Sequence, residues 1–501
     1  HDAATIFTLM MRMRLPLLMV LFSLPGSWVL ADGYEYNSRC TTALENVLAL
    51  RLDDARKLIE QERKENKSNL LPYYIENTID FITIYIHEEE DEFELLEKKK
   101  EERLAAIRRG DPDSPYYTYL QAEIHIQWAF SRLKFEEYFT AFTEIKKAYG
   151  LLSDVRKEHP DFTPALKSMG MLHALFGAIP DQYKWGANML GLSGDIDAGL
   201  KEIKYFIDRP GNYPKVLTQE ATLYYAFLVL YLQKDYDKAW SIVANLDTRN
   251  NLLFSFCKAS VALRTGRCDV AIQTLSNRPS GSAYLAFPYM DFMLGLAKTR
   301  RLDADANFYF EKFLVEFKGK NYIKEAYQKM GWNALIRNDM TRYKFYMERV
   351  KSRGASVIDD DKQALLEAES GISPNPVLLK SRLLFDGGYY KEALQQLEGK
   401  STEDFKTEKD KTEFTYRAAR IYHESGMTDK AKGYYATTIR NGEQLTYYFA
   451  ASAALQLGLI FEKEGNTEKA RYYYNRCMNM NNKEYKTGLD SQAKAGLNRL
   501  K

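Results

Sequence analysis

The sequence predicts an all-α chain, a solenoid of antiparallel helix pairs, and three observations carry that prediction. Four segments repeat one pattern, a turn residue followed five places later by Ala: Lys234-Asp235-Tyr236-Asp237-Lys238-Ala239, Gly388-Tyr389-Tyr390-Lys391-Glu392-Ala393, Gly426-Met427-Thr428-Asp429-Lys430-Ala431 and Gly465-Asn466-Thr467-Glu468-Lys469-Ala470. The turn reverses the chain, and the Ala lets the two helices of a pair approach closely. The closing small or aromatic residue recurs at Ala239, Ala271, Ala306, Tyr343, Ala393, Ala431 and Ala470, at intervals of 32, 35, 37, 50, 38 and 39 residues. Composition agrees: 14 Pro against 36 Tyr and 26 Phe in 501 residues, with no strand-like alternation of useful length, suits long helices packed through aromatic side chains.

Leu457-Gly458, Phe461, Gly465 and Ala470 stand at the spacings of a tetratricopeptide unit, and Ala418-Ala419, Tyr422, Gly426 and Ala431 repeat them one unit earlier. On these residues the chain resembles a tetratricopeptide repeat (TPR) protein across roughly residues 217–500, although the consensus Trp and closing Pro are mostly missing. The resemblance implies a TPR-like α-solenoid in which the first helix of each pair lines a concave groove.

Taken in order, Arg12 and Arg14, the apolar stretch from Leu17 to Phe22 prolonged to Val29-Leu30-Ala31, and small residues before Asp32 read as an export signal, with residues 1–9 as an upstream extension. The apolar run is short for a membrane span and no second one follows, so the mature chain is expected to carry none. The expected location is across the inner membrane, in the periplasm. Cys40 lies well past the apolar run, which argues against a lipid anchor. Residues 32–210 read as a degenerate N-terminal helical block and 211–501 as the regular superhelical array.

Within the block, Cys40 to Lys64 reads as a helix pair turning at Arg51-Leu52-Asp53-Asp54-Ala55, and residues 71–109 as two longer helices, the second from Asp91 to Arg109 with Glu94 and Lys98 as a stabilising pair. Ser114-Pro115, Thr163-Pro164 and Asn375-Pro376 each place a capping residue before Pro and mark helix starts. The 50-residue interval holds Ser352-Arg353-Gly354 and Asp359-Asp360-Asp361, a longer connection plus an added helix. The segment from Gly170 through Pro180, then Tyr183-Lys184-Trp185, Leu190-Gly191-Leu192-Ser193-Gly194-Asp195 and Gly199-Leu200, departs from a plain repeat. It resembles the tetratricopeptide repeat protein 39 family, with Leu192 in place of an aromatic. Trp185, Met189 and Leu190 are expected to cover the step into the regular array.

No chemistry is evident in the side chains. His1, His87, His125, His159, His173 and His423 form no HxxxH, HExxH or Cys/His cluster, and no Gly-rich phosphate loop occurs. Ser280 and Ser282 flank Gly281 without a nucleophile elbow, and the acidic runs lack calcium-loop spacing. No cofactor or metal is therefore expected, and the chain reads as non-enzymatic. A net charge of +2 makes no case for nucleic acid. Cys257 and Cys268 fall on the two helices of one pair, and whether they bridge is open at this level.

Register from the anchor alanines places Arg382, Tyr416, Arg420, His423 and Glu462 on or near the groove side. Two Arg and a Tyr suit a carboxylate or an acidic peptide held through bidentate hydrogen bonds. The expected function is an exported scaffold for protein–protein interaction in the cell envelope, with a protein or peptide partner in the groove. The alternative is a glycan- or nutrient-binding accessory of an outer-membrane uptake system.

Overall fold

The computed structural model describes residues 33–179 and 191–500. The export segment, and the stretch with Trp185, Met189 and Leu190, lie outside the described residues. Among the described residues every regular element is helical. In chain order these are α1 (Ser38–Leu48), α2 (Leu52–Glu65), α3 (Leu71–His87), α4 (Glu90–Glu97), α5 (Lys100–Ile107), α6 (Pro115–Lys134), α7 (Tyr138–Glu158), α8 (Ala165–Gly177) and α9 (Ile196–Asp208). Next come α10 (Lys215–Leu228), α11 (Tyr236–Val243), α12 (Leu252–Arg264), α13 (Cys268–Ser276), α14 (Tyr289–Arg300), α15 (Ala306–Glu316), α16 (Ile323–Leu335), α17 (Met340–Ser352) and α18 (Asp359–Ser370). The last are α19 (Pro376–Gly387), α20 (Tyr390–Gln395), α21 (Glu408–Glu424), α22 (Thr428–Gly442), α23 (Phe449–Lys463), α24 (Thr467–Met478) and α25 (Lys486–Arg499).

These helices pair as the repeat pattern requires: α1 on α2, α6 on α7, α8 on α9, α12 on α13, α19 on α20, α21 on α22 and α23 on α24. The chain is therefore an all-α, TPR-like array of antiparallel helix pairs. Three of these pairs close by one backbone device. Gly388, Gly426 and Gly465 take φ of 89°, 77° and 75°, and the N–H of the next residue returns to the carbonyl five back: Tyr389 to Leu384 at 2.9 Å, Met427 to Tyr422 at 2.8 Å, Asn466 to Phe461 at 2.8 Å. This is the Schellman closure, which ends a helix in the left-handed region where only Gly is free of strain. Ala393, Ala431 and Ala470 are fully buried five residues on.

The same device recurs at four earlier positions, three of them without Gly. Leu50, Glu136, Gly266 and Asn338 have φ of 60°, 64°, 67° and 63°, and Ala55, Ala141, Ala271 and Tyr343 are buried five places later. Arg51, Glu137, Arg267 and Asp339 make the matching five-back bonds at 2.8–3.0 Å. Lys234 is left-handed as well, at φ 57°, but it follows a π-helical turn, Val229–Gln233, so Asp235 N–H reaches Val229, six residues back, at 3.4 Å.

Two compact units make up the chain. One holds the residues up to Gly295 with Phe308–Ala326 and Ser352–Leu365; the other holds Leu296–Asn307, Tyr327–Lys351 and the residues from Leu366 onward. In the first unit, α8 crosses α9 backbone to backbone: a Cβ on Gly170 would lie 2.5 Å from the Gly199 carbonyl oxygen. That close approach accounts for Gly170 and Gly199 of the atypical segment. The helix expected over Asp91–Arg109 is broken into α4 and α5. Lys98 caps α4 rather than pairing with Glu94 inside a helix. The break turns Lys100 toward Glu144 at 2.5 Å and Arg103 toward Asp80, two buried carboxylates that a straight amphipathic helix would miss.

Ser114 and Asn375 cap α6 and α19 as expected, accepting from Tyr116 N–H at 3.3 Å and Val377 N–H at 3.0 Å. At Thr163-Pro164 the helix instead begins at Ala165 without a side-chain cap. The added helix in the long interval is α18. Its Asp361 is buried and accepts the N–H groups of Tyr322 and Glu325 at 2.7 and 2.8 Å, capping the start of α16. The four Cys are buried free thiols, so Cys257 and Cys268 are unbridged. Burial pushes the Cys477 thiol up to about 12.

Candidate functional site

In the second unit the first helices of successive pairs touch one another in a row, α19 on α21, α21 on α23 and α23 on α25. A row of this kind sums side chains from separate pairs into one surface. Arg382 stands on α19 with its side chain 37% exposed. Its guanidinium carbon lies 5.1 Å from the centroid of Trp332, and its nearest carboxylate, Asp386 one turn on, is 3.8 Å away. Trp332 on α16 is buried and fixed by its indole N–H, which donates to Glu367 at 2.9 Å. The Lys329 ammonium sits 4.0 Å from the same ring. One indole thus faces two cations.

Beside Arg382, Arg417 on α21 is almost buried. It donates to Glu413 at 2.7 and 3.0 Å and to the Tyr448 hydroxyl at 3.3 Å. Tyr448 meets Tyr485 edge-on at 5.1 Å, and Tyr485 is 54% exposed with φ of 55°. The Tyr448 N–H approaches Glu484 at 3.4 Å. Burial raises the Glu484 carboxyl above its ordinary value, with Glu413 adding to that, while the Tyr448 N–H, Lys409 and Arg382 pull it down. Burial likewise raises the Tyr448 phenol, against the pull of Arg417. The result is a polar and aromatic face with Arg382 as its half-exposed cation.

The sequence-derived residues do not share one site. Arg382 belongs to this face. Tyr416 does not: it is 5% exposed, and its hydroxyl is shared with Ser452 at 2.8 Å, because its turn of α21 points into the core against Phe449. Arg420 lies over Phe385 at 5.1 Å and reaches Glu424 at 3.3 Å. Its Nε is buried without a hydrogen-bond partner. His423 packs edge-on to Tyr435, with Nδ1 3.3 Å from that hydroxyl, and burial lowers its pKa. Glu462 is consumed structurally by Arg499 at 2.6 and 2.8 Å and by the Tyr474 hydroxyl. The Arg499 hydrogen bond leads in lowering its pKa. The members missed from sequence are Trp332, Glu413, Arg417, Tyr448 and Tyr485. The signal in hand was the four-residue step from Glu413 to Arg417.

The first unit carries buried charge of a different kind. Lys167 on α8 is fully buried and donates to Glu123 and to Glu220 at 2.9 Å each. Ser168 donates to Glu123 and Tyr224 donates to Glu220 at 2.5 Å. Burial raises Glu220 above the ordinary carboxylate range, against the pull of Lys167. On α6 and α7, His125 and Glu144 meet at 2.5 Å. These buried groups tie helices of the first unit together. Among the described residues no three His, Cys, Asp or Glu are arranged to hold a metal ion, and no helix is long and apolar enough to cross a membrane.

No family model matches the chain, and no curated protein matches it. Among solved structures, the chain is similar to a monomeric mutant of IFIT1 with Gppp-AAAA at 12% identity and a TM-score of 0.29, covering 88% of this chain and 82% of that one. It is also similar to Naa15/Naa10 bound to HypK-THB at 12% identity and a TM-score of 0.20, covering 92% and 78%.

Proposed function

We propose that the chain is a non-enzymatic scaffold, exported to the periplasm, that holds an acidic segment of a protein partner on the row of α19, α21 and α23. Arg382 carries the reading. Its side chain is 37% exposed, its guanidinium is held by the face of an indole, and the nearest carboxylate among the described residues is 3.8 Å away. Its fork of donors is thereby left to a carboxylate from outside. Arg417 supplies positive potential behind it while its own donors are spent on Glu413 and Tyr448. Tyr485 offers an exposed ring at the rim, the kind of rigid amphipathic contact that interfaces favour. Export rests on the basic, apolar and small-residue order of residues 10–31.

The test is fluorescence anisotropy with a labelled peptide rich in Asp and Glu against a Lys-rich peptide of equal length. The acidic peptide should bind and Arg382→Glu should abolish that binding. Equal binding to the Arg382→Glu protein would remove this face from consideration.

A further inference from the structure

We infer that the first unit carries a second, independent binding site, for a small ring-bearing anion such as a sugar phosphate or a sugar acid. The site is an open cleft of about 490 Å³ between α9 and the π-helical turn that follows α10, with Leu200, Lys201, Tyr205, Arg209, Gln233 and Lys238 in its lining. That volume lies within the range of small-molecule sites.

Its charges are unequal, four cations to two anions, and the anions are occupied. Asp208 is paired with Lys204, and Asp197 accepts from Gln233 at 2.8 Å. Among the described residues Lys201, Arg209 and Lys238 have no carboxylate within ion-pair distance. Arg209 lies 4.5 Å from the Tyr205 ring centroid and Lys238 lies 5.3 Å from that of Tyr225. A cation resting on a ring keeps its donors for an anion, while the half-exposed Tyr205 offers an apolar face to the ligand's ring.

The backbone supplies an observation of another kind. Val229–Gln233 is the only π-helical turn among the described residues. Such turns cluster at functional sites because the inserted residue re-aims side chains. This one delivers Gln233, oriented by donating to Asp197 and accepting from Lys238 at 3.3 Å, to the cleft wall. The site shares no residue with the face around Arg382, so either assignment stands if the other fails.

Isothermal titration of the full chain with glucose 6-phosphate, glucuronate, glucose and inorganic phosphate tests it. Glucose 6-phosphate, glucuronate or both should saturate below about 10 mM, and glucose should bind at least about tenfold more weakly. Saturation by one anion alone identifies the phosphate or the carboxylate as the recognised group. Lys201→Glu with Lys238→Glu should weaken the bound anion about tenfold or more at an unchanged melting temperature, and Tyr205→Ala should weaken the sugar anion more than inorganic phosphate. No saturation by either sugar anion, glucose binding as tightly as they do, or charge-reversed variants binding as wild type would each overturn the assignment.

Discussion

The guanidinium of Arg382 lies 5.1 Å from the centroid of the Trp332 ring, 50 residues earlier in the chain. Attraction to a ring face consumes no acceptor atom, so the side chain is positioned without spending its donors. Asp386 at 3.8 Å is too distant to take them.

The first prediction separates charge from geometry. Arg382→Lys keeps the cation but loses the planar fork and much of the stacking on Trp332. Affinity for the acidic peptide should fall about tenfold, with only a small loss in melting temperature, because Lys keeps a cation beside the Trp332 ring. Anisotropy with thermal melting by circular dichroism checks both parts. An unchanged affinity would mean that a point charge suffices.

The second concerns Lys167. Replacing it with Met leaves Glu123 and Glu220 buried without a counter-charge. Removing one partner of a buried pair costs roughly 3–5 kcal/mol. The urea midpoint of Lys167→Met should drop accordingly, and adding Glu123→Gln and Glu220→Gln should recover part of the loss. A midpoint equal to wild type would show that the triad contributes nothing.

What the sequence disclosed depended on the range of the interaction. Gly388, Gly426 and Gly465 announce the helix-pair closure because the left-handed conformation selects Gly locally, and each buried Ala follows at a fixed distance. Leu50 and Glu136 adopt the same backbone with residue types that carry no turn preference, so the N-terminal pairs looked degenerate although their geometry is regular. Lys167 finds its partners 44 and 53 residues away, distances that no local pattern encodes. On α21, the step from Tyr416 to Arg417 carries the side chain about 100° around the axis. Register read from anchor alanines did not resolve which of these neighbours joins the face and which enters the core.

The third prediction follows from those hidden turns. Glu136 is exposed with φ of 64° and Asn338 has φ of 63°. Glu136→Gly should stabilise by about 1 kcal/mol, and Asn338→Gly by less because Asn tolerates the conformation. Gly426 has open space around a would-be Cβ, so Gly426→Ala isolates backbone strain and should destabilise by roughly 1 kcal/mol. Urea midpoints of the three variants decide it; a stabilising Gly426→Ala would refute the account.

The fourth prediction is a pH dependence at Glu144. Burial raises its carboxyl, but hydrogen bonds from His125 and Lys100 more than offset that and hold it at about 2. A carboxyl with a depressed folded pKa contributes stability that is complete above its unfolded value near 4.5 and disappears as pH falls through about 2. The full contribution is on the order of 3 kcal/mol. The His125 pKa is lowered by burial, so protonating it as pH falls also opposes folding. Glu220 and Asp361 act in the reverse sense, since burial raises both and their ionisation costs stability as pH rises. The clean measure is therefore the gap between wild type and Glu144→Gln rather than wild type alone. That gap should be constant above about pH 6 and narrow by roughly half or more by pH 3. A gap that stays level to pH 3 would mean that Glu144 is not held as an anion by His125 and Lys100.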